Sequence, residues 1–260
     1  MKTLSFATIA VLSLGLMGSS TAYAARSKLA VNHLHIQLID LDPTDGIAPT
    51  LSFREGSTSL AYFRSDLSHY AQGSKSEPSL DSVLGPLLAD DVHGSLSAQS
   101  FGGALTSAQG WSGQVWVSNL GGPVDAWSSI TLAAQFTLTA HTLMLVSGDV
   151  PTPQVFADGD DATFAESVLR IADTDNTTQG NSRTYLSIDH GVHTHLGSDH
   201  LQASFANLAD KPVDGSFFLQ LTASATNNSF VSGVPEADKS AALLAGLAVL
   251  GAWVRRHKRR

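Results

Sequence analysis

Alternation of apolar and polar residues at period two is the feature that most limits what this chain can fold into. Leu34, Ile36 and Leu38 alternate with His33, His35 and Gln37. Leu132, Ala134, Phe136 and Leu138 alternate with Thr131, Ala133, Gln135, Thr137 and Thr139, and Phe217, Leu219 and Leu221 with Phe218, Gln220 and Thr222. Successive side chains of a strand point to opposite faces, so each segment buries one face and wets the other. Shorter runs of the same kind are Thr50–Phe53, Leu60–Arg64, Gln114–Ser118, His141–Ser147, Tyr185–Ile188 and Leu201–Ala206. Glu55-Gly56-Ser57, Gly121-Gly122-Pro123 and Ser147-Gly148-Asp149 read as turns between strands, and Asp214-Gly215 opens the last one. Helical periodicity is scarce; its best stretch, Ser79–Leu88, is interrupted by Gly85-Pro86. No repeat period marks a solenoid or propeller. The expectation is an all-β, antiparallel, jelly-roll-like sandwich over residues 25–225.

Such a body has to be held by buried apolar area, because the chain has no cysteine. That excludes disulfides, thiolate metal sites and cysteine nucleophiles. Residues 25–233 carry 8 Lys and Arg against 21 Asp and Glu, a net −13, while five of the 15 basic residues crowd the last six positions. A body so acidic repels nucleic acid, and anionic polysaccharide too unless cations intervene. No nucleic-acid partner is expected.

Both ends differ from the body. Lys2 precedes an uncharged run from Leu4 to Met17, then Gly18-Ser19-Ser20, then Ala22-Tyr23-Ala24. This is the layout of a secretory signal peptide over residues 1–24, with Ala22 and Ala24 at the positions signal peptidase inspects and cleavage after Ala24. At the other end, residues 226–239 read as a linker, and residues 240–260 hold an apolar run followed by Arg255, Arg256, Lys258, Arg259 and Arg260. As a helix Ala241–Val254 would reach about 21 Å, short of the roughly 30 Å hydrocarbon core. Snorkelling cations and Trp253 close that gap. The run is apolar all round, unlike an amphipathic core helix, and its cations stop translocation with the body outside.

Val234-Pro235-Glu236, the apolar helix and the terminal arginine cluster together resemble the PEP-CTERM sorting signal of Gram-negative bacteria. Ala237 stands where that family usually has a second proline. The resemblance covers about the last 27 residues. It implies recognition by exosortase, a membrane cysteine protease, with cleavage near the motif and delivery to the cell surface or an exopolysaccharide matrix. A single-span anchor that is never cut is the competing address.

Chemistry-bearing clusters are few. His193 and His195 would share one face of a strand, a spacing that suits Zn²⁺ or Cu²⁺ as well as a solvated His-rich strand. Asp158, Asp160 and Asp161, Asp173 and Asp175, and Asp40-Leu-Asp42 with Asp45 offer oxygens that suit Ca²⁺; turns also favour Asp for backbone reasons alone. No EF-hand loop, nucleophile elbow or His-Glu-x-x-His helix is present. Trp111 and Trp116, with Trp127 near them in sequence, either stack on sugars or fill the core. The expected function is a structural or adhesive surface protein without enzymatic activity. A carbohydrate-binding module and a secreted hydrolase are the alternatives.

Overall fold

The computed structural model describes residues 25–66, 70–80, 84–91, 94–119, 124–157, 161–174, 178–189 and 191–227. The expected signal peptide, linker motif and sorting helix lie outside these residues. Within them the protein is all-β and antiparallel, and no helix is long and apolar enough to cross a membrane.

One sheet contains β1 (Ala25–Asp40), β4 (Leu87–Asp91), β5 (Gly94–Gly102), β6 (Trp111–Asn119), β8 (Thr142–Asp149), β9 (Gln154–Ala157) and β13 (His200–Asn207). Its order is β13-β8-β1-β6-β5-β4, with β9 also pairing β1. The second contains β2 (Leu51–Asp66), β3 (Tyr70–Glu77), β7 (Val124–Leu138), β10 (Ala162–Asp173), β11 (Thr178–Asp189), β12 (Val192–Leu196) and β14 (Val213–Asn227). They run β12-β11-β10-β14-β7-β2-β3. The chain passes repeatedly from one sheet to the other, so sequence neighbours such as β6 and β7 face each other across the core.

The inward residues match the alternation. Leu132, Phe136 and Leu138 of β7 and Phe217, Leu219 and Leu221 of β14 are buried, against Leu29, Leu34, Val115 and Val117 of the first sheet. Inward hydroxyls join the layers: Ser27 donates to the carbonyl of Phe164, and Ser128 to that of Trp116 at 3.1 Å. A hydroxyl that finds an acceptor escapes most of the cost of burial.

Two expected turns are strand instead. Glu55-Gly56-Ser57 lies inside β2, whose register against β7 slips between Phe53 and Glu55. This bulge moves the inward set from Leu51 and Phe53 to Thr58 and Leu60. Ser147-Gly148-Asp149 lies inside β8, where a Cβ on Gly148 would come within 2.9 Å of Leu34 Cδ1. That glycine is kept for close approach, not for turning. The Ser79–Leu88 stretch ends in β4, and Leu80 and Leu84 are buried in the core. Gly121-Gly122-Pro123 lies outside the described residues.

Candidate functional site

On the outer face of the second sheet one in-register row crosses all seven strands. Thr194 of β12 pairs Ser187 of β11, which pairs Phe164 of β10. Phe164 pairs Ser224 of β14, Ser224 pairs Trp127 of β7, Trp127 pairs Phe63 of β2, and Phe63 pairs Gln72 of β3. Directly paired residues project from one face. Six strand spacings make the row about 29 Å long.

Its aromatic members are held in place. Phe63 stacks on Trp127 at 6.1 Å and 14°, and Tyr70 meets Phe63 edge-on at 5.5 Å. Phe164 stacks on Tyr185 at 6.1 Å, with the Arg183 guanidinium over Tyr185 and paired to Glu166. Gln72 accepts a 2.6 Å hydrogen bond from the Tyr70 hydroxyl. Trp127 stays 36% exposed and Tyr70 64% exposed. Two shallow hollows lie along the row, about 640 Å³ around Phe164 and Tyr185 and about 370 Å³ around Phe63 and Trp127. Flat aromatic faces alternating with hydroxyl and amide groups can stack on and hydrogen-bond to an extended ligand.

The tryptophans expected to act together occupy three layers. Trp111 is in the core, 1% exposed, so it cannot stack on a sugar in solvent; Gly113, without a Cβ, leaves room for its ring. Trp116 is half-buried on the outer face of the first sheet, paired with Lys28 and Ser97. Only Trp127 of the three belongs to the row. Cross-strand register, which a linear sequence does not display, is what selects Trp127 and Phe63.

The metal candidates disperse as well. His193 and His195 lie on the exposed strand β12, paired with Ile188 and Leu186, and join no ligand cluster among the described residues. Asp161 is buried and Asp173 partly so; Asp158, Asp160 and Asp175 lie outside the described residues. The turn Asp42–Asp45 instead meets His141, and their ligand atoms fall within 4.8 Å of one another.

That cluster is wired as a latch. Asp45 bonds His141 Nδ1 at 2.6 Å and Asp210 bonds Nε2 at 3.0 Å. Asp42 accepts from the Thr44 hydroxyl at 2.6 Å and from its backbone N–H at 3.1 Å, and Asp45 accepts from the Ile47 N–H. Carboxylates thus meet both ring nitrogens, and the imidazolium they stabilise has no lone pair for a metal. The Asp45 hydrogen bond, chiefly, raises the His141 pKa, with Asp210 helping; the Thr44 hydroxyl lowers that of Asp42. Buried Asn207 positions Asp210 by donating to the carbonyls of Leu138, Thr139 and Lys211.

Searches of family models, curated proteins and solved structures find no significant match.

Proposed function

We propose that the chain is an exported surface protein, non-enzymatic, whose β-sandwich adheres to matrix polysaccharide through the outer face of the second sheet. The observation that carries this reading is the in-register row from Thr194 to Gln72, with Phe164, Trp127 and Phe63 as its aromatic members. Sugar rings present flat C–H faces that stack on aromatics, and their hydroxyls pair with Ser, Thr and Gln side chains. A row about 29 Å long spans several sugar units of an extended chain. The acidic body favours a neutral polymer over an anionic one. This brings the structural or adhesive reading and the carbohydrate-binding reading together in one surface. The repeated crossing between sheets supports a jelly-roll-like description of the sandwich.

The address rests on the two terminal segments. The proposed signal peptide ends at Ala24, and the Val234-Pro235-Glu236 motif with its apolar run and cations is the proposed exosortase signal. Mass spectrometry of the protein from an exporting host tests it. Termini at Ala25 and near residues 233–237 support processing; retention of residues 240–260 supports an uncut anchor.

A further inference from the structure

We infer that the outer face of the first sheet carries a binding site for an imidazole-preferring divalent metal ion of the Zn²⁺ class, formed by His33, His35 and His200 with Asp149 as their orienting group. The site lies on the opposite sheet from the polysaccharide row and does not depend on it.

The site begins with a bulge. In β1 the inward residues are Ala25, Ser27, Leu29 and Val31, then Leu34 and, beyond it, Ile36 and Leu38. The register against β6 slips between Val31 and Leu34, and His33 takes a left-handed conformation at φ 52°. The extra residue exchanges the faces. Without it the odd phase would continue, turning His33 and His35 into the core; with it both lie exposed. The bulge is supported from both sides. Ser112 Oγ accepts the His33 N–H at 3.1 Å, and a Cβ on Gly110 would come within 2.7 Å of the Leu34 carbonyl oxygen.

Register places the other groups on the same face. Asn32 pairs Asp149 and His35 pairs Ser147, while His200 of β13 pairs Asp149 from its far side. The three imidazoles and Asp149 line one hollow of about 280 Å³.

The hydrogen bonding then resembles that of histidines that hold metals. His200 Nδ1 donates to Asp149 Oδ1 at 2.9 Å, and His33 Nδ1 stands 3.8 Å from Asp149 Oδ2. His35 Nδ1 donates to the His33 carbonyl at 3.0 Å. In His200 and His35 the acceptor fixes the ring hydrogen on Nδ1 and leaves the Nε2 lone pair as the ligand, while His33, at 3.8 Å from the carboxylate, is close enough to take the same orientation after a small rotation. A ligating histidine almost always gives its other ring N–H to a carboxylate or backbone carbonyl in this way. Among the described residues, only His35 Nε2 of the three has a partner, the neutral Ser147 hydroxyl at 3.3 Å, which an ion would displace. His141 is the contrast, since carboxylates occupy both its nitrogens. The ligand atoms stand farther apart than in the Asp42–Asp45–His141 cluster, so binding requires side-chain rotation. His33 and His200, 74% and 72% exposed, are free to make it. Three imidazoles plus water make a four-coordinate shell for Zn²⁺, whereas Ca²⁺ takes oxygen ligands and is not expected here.

Isothermal titration of the full chain with Zn²⁺ and separately with Ca²⁺ tests this. The expected result is about one Zn²⁺ per chain and no Ca²⁺ heat at this site. His33→Gln and His200→Gln should each weaken Zn²⁺ binding at least about tenfold, and Asp149→Asn by roughly 10- to 100-fold through lost orientation. A His193→Gln/His195→Gln chain should bind as the wild type does. Melting curves taken without metal should coincide for all variants, since the changed side chains are exposed. Substitution with Co²⁺ gives a second readout, ligand-field absorption bands that the His33→Gln/His200→Gln chain should lack. No Zn²⁺ heat from the wild type overturns the inference. So does wild-type affinity in the His33→Gln/His200→Gln chain, or loss of binding in the His193→Gln/His195→Gln chain.

Discussion

His141 is the residue whose surroundings make the sharpest single-site prediction. It sits at φ 49° just before β8, and its ring ties the Asp42–Asp45 turn to Asp210. Its pKa is raised above 6.5 in the folded state by the Asp45 hydrogen bond. The folded chain therefore holds this proton more tightly than the unfolded one. The resulting stability is fully present below the unfolded value near 6.5 and is lost as pH rises through the higher folded value. Melting temperature measured from pH 5 to 9 should fall more steeply above pH 6.5 in the wild type than in His141→Gln. Equal slopes would show that the latch contributes nothing. Trp111 makes a packing prediction at the same scale. Truncation to Ala removes a buried indole and should cost about 3–5 kcal/mol. Gly113→Ala should also lower the denaturation midpoint, because its methyl would meet the same ring.

At the scale of strands, legibility followed the size of the inward residues. β7, β14 and the second half of β1 could be read because Leu, Ile and Phe mark their inner faces. β10 and β5 could not. β10 turns Thr163, Ala165 and Ser167 inward before reaching Leu169 and Ile171, and β5 turns in Leu96, Ala98 and Ser100. Small hydroxyl residues break the apolar pattern without breaking the strand. Glycine misled in the opposite direction, since Gly56 and Gly148 sit inside strands where neighbouring side chains need their space. The candidate site was less legible than the fold, because pairing Trp127 with Phe63 requires knowing that β7 lies beside β2. The bulges yield a test by deletion. Removing Asn32 takes out the extra residue and leaves Val31 and Leu34 both inward, so that chain should still fold. Removing Ala133 from regular β7 reverses the facing of every residue on one side of the deletion. Near-UV circular dichroism should retain a native spectrum for the first deletion and lose it for the second.

At the scale of the molecule, the two sheets carry different surfaces. The second presents a neutral aromatic and hydroxyl row, and the first a histidine hollow beside the β1 bulge. An acidic body fits the proposed display outside the cell, where neutral contacts persist despite its charge. Stacking and hydrogen bonding within the row involve no net charge, so binding to a neutral polysaccharide should change little between 0.05 and 0.5 M salt, conditions that screen ionic contacts strongly. The most direct measurement is co-sedimentation of the full chain with insoluble neutral polysaccharides, comparing wild type with Phe63→Ala/Trp127→Ala at matched melting temperature. The account predicts binding by the wild type and at least a tenfold loss in the double variant, about 1.4 kcal/mol or more. Equal binding by the two chains, or no binding by either to any such polymer, would contradict it.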